Sequence, residues 1–195
     1  MRTARTVGGL SLIGLALAVA VVTCRGGGDD ADARHGPRCT VSSPARLAGR
    51  TVTAFDLEGR PLRCADLHGA TLQDAAITSA DLYGADLSQA TAREAQLSQV
   101  KLTRADLDGA VLRDGSLTDV GLQQATLRGA DLRAVSFLRT DLGAADLRGA
   151  DLTGASFEAS NLRGARLDGA KLTGVTFVNS VCPGGAKSTD GTCGR

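Results

Sequence analysis

From Leu57 to Phe177 an apolar residue recurs at every fifth position, without an omission or an insertion. Of these 25 sites, 20 are Leu, three are Phe, one is Ile77 and one is Ala92. Two residues before each site from Leu67 on stands a second, smaller class: Ala65, Ala70, Ala85 and Ala90 early in the run, then Val100, Gly115, Val120, Thr140 and Ser160; Phe55 and Arg60, before the first two sites, fit a transition from the cap. A period of five fits neither the 3.6 residues of a helical turn nor the two of a simple strand, so it signals an internal repeat. In a five-residue unit of strand plus turn, the centre and the residue two before it share a face, and both point inward. The other three positions then face water, and they carry Asp, Arg, Thr, Ser, Gln and Gly.

AlaAspLeuHisGly from Ala65, AlaAspLeuSerGln from Ala85 and AlaAspLeuThrGly from Ala150 resemble the A(D/N)LXX motif of the pentapeptide-repeat family, over about two thirds of the chain. The resemblance implies an all-β fold, a right-handed quadrilateral parallel β-helix in which four pentapeptides make one coil. With such a coil Phe137, Phe157 and Phe177 fall in one column above Leu57, Ile77, Leu97 and Leu117, as a stacked repeat requires. Leu67, Leu87, Leu107, Leu127 and Leu147 are expected in the same core. About six coils at a strand spacing of roughly 4.8 Å make a rod on the order of 30 Å long. Each coil buries its apolar face only against its neighbours, so the ends need caps. Ala92 marks the one thin spot. No proline lies between Leu62 and Cys182, and Pro61 is tolerable at the rod's edge.

Four segments follow: 1–24, a signal or membrane anchor; 25–50, a tether leading to the N-terminal cap; 51–181, the β-helix; and 182–195, a C-terminal tail. The first begins with Arg2 and Arg5 and continues as an uncharged, largely apolar run to Cys24, the pattern of a secretory signal. Cys24, after Val21, Val22 and Thr23, resembles a bacterial lipobox cysteine that becomes lipidated; a cleaved ordinary signal and an uncleaved anchor are the alternatives. Each exports the chain, to the outer face of the cell membrane or beyond. The next stretch is rich in Gly and charge and cannot bury enough apolar surface to order itself, which makes it a flexible tether. The CysProGlyGly tail from Cys182 resembles the endings of secreted actinobacterial members of the family, and the Ala, Gly and Arg richness suggests a high-GC bacterial source.

With Cys24 assigned to lipid, four cysteines remain: Cys39 and Cys64 near one end of the rod, Cys182 and Cys193 near the other. Three pairings are open. The local one closes two short loops where a solenoid most needs pinning, and export favours disulfides. Cys64, two after Leu62, is expected to face outward and reach the cap. A metal site is the alternative, but neither pair has zinc-ligand spacing and both histidines, His35 and His68, lie elsewhere. No metal or cofactor is expected.

The whole chain carries a net charge of +1, and residues 55–179 hold 13 Lys and Arg against 17 Asp and Glu, or −4. Nucleic-acid binding needs a basic face, which this pattern does not supply. Asp66, Asp86, Asp106 and Asp146 should stack on one edge, interrupted by Thr126. Arg93, Arg113 and Arg133 should stack on another beside Glu94 and Asp114, which partly neutralise them. Family resemblance supplies a second functional reading through the acidic column: some members are described as mimics of duplex DNA that bind DNA gyrase and protect it from inhibitors. That role needs the cytoplasm, against the export signal. No Ser, Cys or carboxylate has a recognisable catalytic spacing with either His, and with one Tyr and no Trp there is no stacking platform for a small-molecule substrate. The chain therefore reads as a non-enzymatic, monomeric, exported scaffold or protein-binding module at the bacterial cell envelope, its protein partner unspecified. Leu107→Asp should bury an unpaired charge and cost several kcal/mol, whereas Asp108→Ala should be nearly silent; equal losses in denaturant unfolding would overturn the register.

Overall fold

A computed structural model describes residues 45–53, 57, 62–73, 76–189 and 191–193. Residues 1–24 with Cys24, and Cys39 and His35 beyond them, lie outside the described residues. Among the described residues eight three-residue strands follow one another: β1 (Thr51–Thr53), β2 (Thr71–Gln73), β3 (Ala76–Thr78), β4 (Gln96–Ser98), β5 (Ser116–Thr118), β6 (Ser136–Leu138), β7 (Ser156–Glu158) and β8 (Thr176–Val178). β1 pairs with β2, and β3 to β8 form one six-stranded parallel sheet in chain order.

Registers follow the repeat. Ile77 lies beside Leu97, Leu97 beside Leu117, and Phe137, Phe157 and Phe177 continue the line. Three further lines of parallel bridges run up the molecule: from Arg46 through Asp66 and Asp86 to Arg166, from Thr71 through Thr91 to Lys171, and from Asp81 through Lys101 to Val181. Four sides of five residues therefore close each coil, and the chain is a parallel β-solenoid of about six coils. Backbone bonds point along its axis: Leu127 N–H donates to Asp146 C=O at 2.8 Å, and Asp146 N–H to Ala125 C=O at 2.9 Å.

Leu67, Leu87, Leu107, Leu127 and Leu147 are buried, as are Phe137, Phe157 and Phe177. The phenyl rings stack at centroid distances of 4.5 and 5.1 Å and are tilted by only 6° and 8°. One coil's translation carries each ring onto the next, so their geometry is set by the backbone register and not by free choice between edge-on and stacked pairs. Ala92 is itself buried, in the column of Leu72 and Leu112.

The corner after β6, β7 and β8 buries hydroxyls. At most corners of the other three sides the N–H of the small residue bonds back to the preceding centre, as Ala85 N–H does to Leu82 C=O at 3.0 Å. Here Thr140 N–H donates to Ser160 Oγ at 3.0 Å, Ser160 N–H to Ser180 Oγ at 3.1 Å, and Ser180 N–H to Ser188 Oγ at 3.0 Å. Ser160 Oγ in turn donates to Phe137 C=O at 3.1 Å. A hydroxyl both donates and accepts, so one Ser per coil satisfies a buried N–H below it and keeps its own proton bonded.

Three expectations change. The last coil is not wholly core: Leu167 is half-buried and Leu172 is 43% exposed, because no further coil among the described residues covers them. Its remainder is closed by the tail, where Lys187 bridges Val181, Phe177 N–H donates to Gly191 C=O, and Cys182 is joined to Cys193. Cys64 is buried rather than outward, since a sulfur in a disulfide loses accessible surface; the expected pairing with Cys39 falls outside the described residues. Asp108 is not idle either, for its Oδ1 accepts Arg128 N–H from the next coil at 2.8 Å, so its removal costs about 1 kcal/mol. Ser160→Ala should cost more, about 1–3 kcal/mol, because it strands the buried Thr140 N–H; urea unfolding should show it, and a silent variant would mean that the hydroxyl ladder contributes nothing.

Candidate functional site

The acid before each central Leu has a local task. Asp66 Oδ1 accepts the N–H of His68, Asp86 that of Ser88, Asp106 that of Asp108, Asp141 that of Gly143 and Asp151 that of Thr153, at 2.9 to 3.3 Å. Asn161 does the same for Arg163. This is an Asx turn, in which a short side-chain oxygen stands in for a backbone acceptor two residues on, a task that Asp and Asn perform better than Ser or Thr. The acidic column is thus built for the turns first, and each carboxylate keeps a second oxygen for other partners.

Those second oxygens gather cations. Asp146, buried, takes Arg148 Nε and Nη2 at 2.7 Å each and Arg128 Nε at 2.7 Å from the coil below. The Arg148 and Arg128 guanidiniums hold its carboxyl well below the usual carboxylate range. Arg133 pairs with Asp131 two residues earlier, at 2.6 and 2.7 Å, and lowers that carboxyl too. The Arg113 guanidinium has its Nε 3.8 Å from Asp114. Arg133 is therefore neutralised by the Asp of its own turn, not by the neighbouring acidic column expected, because the Asx position brings that carboxylate closest. Arg139 forks onto Asp119 at 2.7 and 2.8 Å, one coil apart. The Thr153 hydroxyl and N–H, with Lys171 from the coil above, draw Asp151 down to about 2.

His68 Nδ1 lies 2.9 Å from Ser88 Oγ, which donates its proton to Asp86 Oδ1 at 2.5 Å. The order is the reverse of a nucleophile relay: the carboxylate holds the hydroxyl, and among the described residues the imidazole has no acid behind it to set its tautomer. Sequence spacing could not show this contact, which joins residues one coil apart. Arg63 stacks its guanidinium 4.3 Å over the Tyr83 ring and lies 3.4 Å from Asp81, which encloses the one tyrosine in an ionic contact. Among the described residues no three His, Cys, Asp or Glu side chains converge as metal ligands. What the surface offers is a long wall: the flat β3 to β8 sheet with Ser116, Ser136, Ser156 and Thr176 in file, flanked by ion-paired ridges.

The model for pentapeptide repeats matches residues 56–89, 80–119, 95–133, 116–149 and 140–179. Among solved structures, the chain is similar to the pentapeptide repeat protein Rfr23 from the cyanobacterium Cyanothece 51142, with 20% identity over 70% of this chain and 87% of that one and a TM-score of 0.45. It is similar to a pentapeptide repeat protein of the Arabidopsis thaliana thylakoid lumen, with 23% identity over 57% and 82% and a TM-score of 0.42. It is also similar to QnrB1, a plasmid-mediated fluoroquinolone resistance protein, with 17% identity over 70% and 92% and a TM-score of 0.24. No curated protein sequence matches significantly.

Asp146→Asn keeps the turn acceptor and removes the charge. Depressed carboxyls stabilise the fold above the ordinary carboxylate range, near pH 4, and lose that contribution as pH falls through their lowered values. The variant should therefore cost about 1–2 kcal/mol at neutral pH, between an exposed and a buried pair, and progressively less below about pH 4. Thermal melts across pH check this; a cost that does not shrink in acid would remove the ionic explanation.

Proposed function

The chain belongs to the pentapeptide-repeat family, and on that footing we propose that it is a non-enzymatic, protein-binding rod held at the outer face of a bacterial cell membrane. Its coils wind right-handed, the hand that parallel crossovers take. The observation that carries the location is cysteine chemistry: Cys182 is joined to Cys193, and Cys64 is disulfide-bonded as well. Staples at both ends of a solenoid belong to an oxidising compartment. The basic, then apolar, residues 1–24 supply the export signal, Cys24 the lipid, and the glycine-rich stretch after it the tether.

Binding is assigned to the walls because their geometry is rigid and repetitive. Side chains on them are held in files one coil apart by Asx turns and ion pairs, so a partner meets a surface that is already ordered and loses little further entropy on docking. Fractionation of cells with intact mass of the recovered protein, for wild type and Cys24→Ser, tests the reading. A membrane-bound product beginning at Cys24 with added lipid mass, lost in the variant, is expected. A soluble chain retaining Met1 and free thiols would overturn it and make protection of DNA gyrase, through the acidic column, the next assay.

A further inference from the structure

The last coil is closed on only half of its perimeter. One coil below, the N–H groups of Leu147, Gly149, Leu152 and Gly154 donate to Arg166, Asp168, Lys171 and Thr173, and Ala145 and Ala150 accept from Arg166 and Lys171. The equivalent N–H groups of Leu167, Gly169, Leu172 and Gly174 meet no acceptor among the described residues, and the Ala165 and Ala170 carbonyls receive no donor. Leu172 is 43% exposed on this edge. An edge with unpaired backbone groups and an uncovered apolar row is a template for another strand.

Charge selects the occupant. The bridge lines that run through Asp146 and Asp151 end at Arg166 and Lys171, and Lys171 Nζ lies 3.1 Å from Asp151. Arg166 and Lys171 are both exposed in this last coil, Arg166 with its Nε 4.0 Å from Asp168. A second copy meeting this edge end to end would set the same Arg163, Arg166 and Lys171, against one Asp168, facing their like. The geometry points to an extended segment of another protein, about ten residues long, with apolar residues five apart and an acidic residue before each, which adds as a further half-coil by main-chain pairing. It holds wherever the rod resides.

The probe is the end-blocked peptide AlaAspLeuArgGlyAlaAspLeuThrGly, a copy of residues 145–154, the segment one coil beneath this edge. Added to the full chain, it should slow amide exchange at Leu167, Gly169, Leu172 and Gly174 while leaving Gly164, already bonded to Pro183 C=O, unchanged. Leu172→Asp, and separately Arg166→Glu with Lys171→Glu, should each weaken binding by about tenfold or more; all three side chains are exposed, so the fold is kept. No protection at millimolar peptide, or protection that survives both variants, would overturn the assignment. So would protection in the free chain: rising with protein concentration it would name a second copy as the occupant, and independent of concentration a segment of the same chain.

Discussion

Every feature of this molecule depends on backbone hydrogen bonds that run along the rod and join each residue to its counterpart one coil away. Since those bonds hold consecutive coils in one register, any property of a position becomes a property of a column. Leu stacks on Leu, Phe137 on Phe157 on Phe177, Ser160 on Ser180. The translation is short, a strand spacing of roughly 4.8 Å, so a column tolerates only what can repeat at that distance. Apolar rings and hydroxyls can; bare like charges cannot without partners.

That restriction accounts for the surface chemistry. Where Asp or Asn stands before a centre it accepts the turn N–H, and the repeat piles these carboxylates into files. Arginines answer them from two residues on, as Arg148 and Arg133 do, or from an adjacent coil, as Arg128 does; Arg139 reaches across a coil in the same way to Asp119, on the other side of its centre. Asp146 has gone furthest, with two guanidiniums on one buried carboxylate. Most of the exposed pairs contribute little to stability singly, and their effect is to hold side chains in fixed files along the walls.

A solenoid is a one-dimensional stack, so its ends differ from its middle in kind. The middle coils satisfy one another. At the C-terminal end a disulfide, an antiparallel bridge and the Ser188 hydroxyl finish the sides of Phe177 and Cys182, while among the described residues the sides of Leu167 and Leu172 are left with donors, acceptors and apolar surface unspent.

The five-residue period by itself determined that the chain is an internal repeat and which of its residues point inward, because inward pointing is a local consequence of alternation; the class of fold, and with it the coil length that places the three phenylalanines in one column, came from the resemblance of the repeat to a known family. The acidic file was legible for the same reason, though its turn-capping task was not, since a carboxylate's acceptor geometry depends on the backbone conformation two residues ahead. What only the tertiary structure decided were contacts between coils that no spacing ranks: His68 with Ser88, Arg128 with Asp146, Thr140 with Ser160. Sequence periodicity likewise assigned Leu172 to the core with every other centre. Burial requires a neighbour on both sides, and whether a tail folds back over one side of the final coil or another is settled by where Cys193 and Gly191 find their partners, not by the repeat.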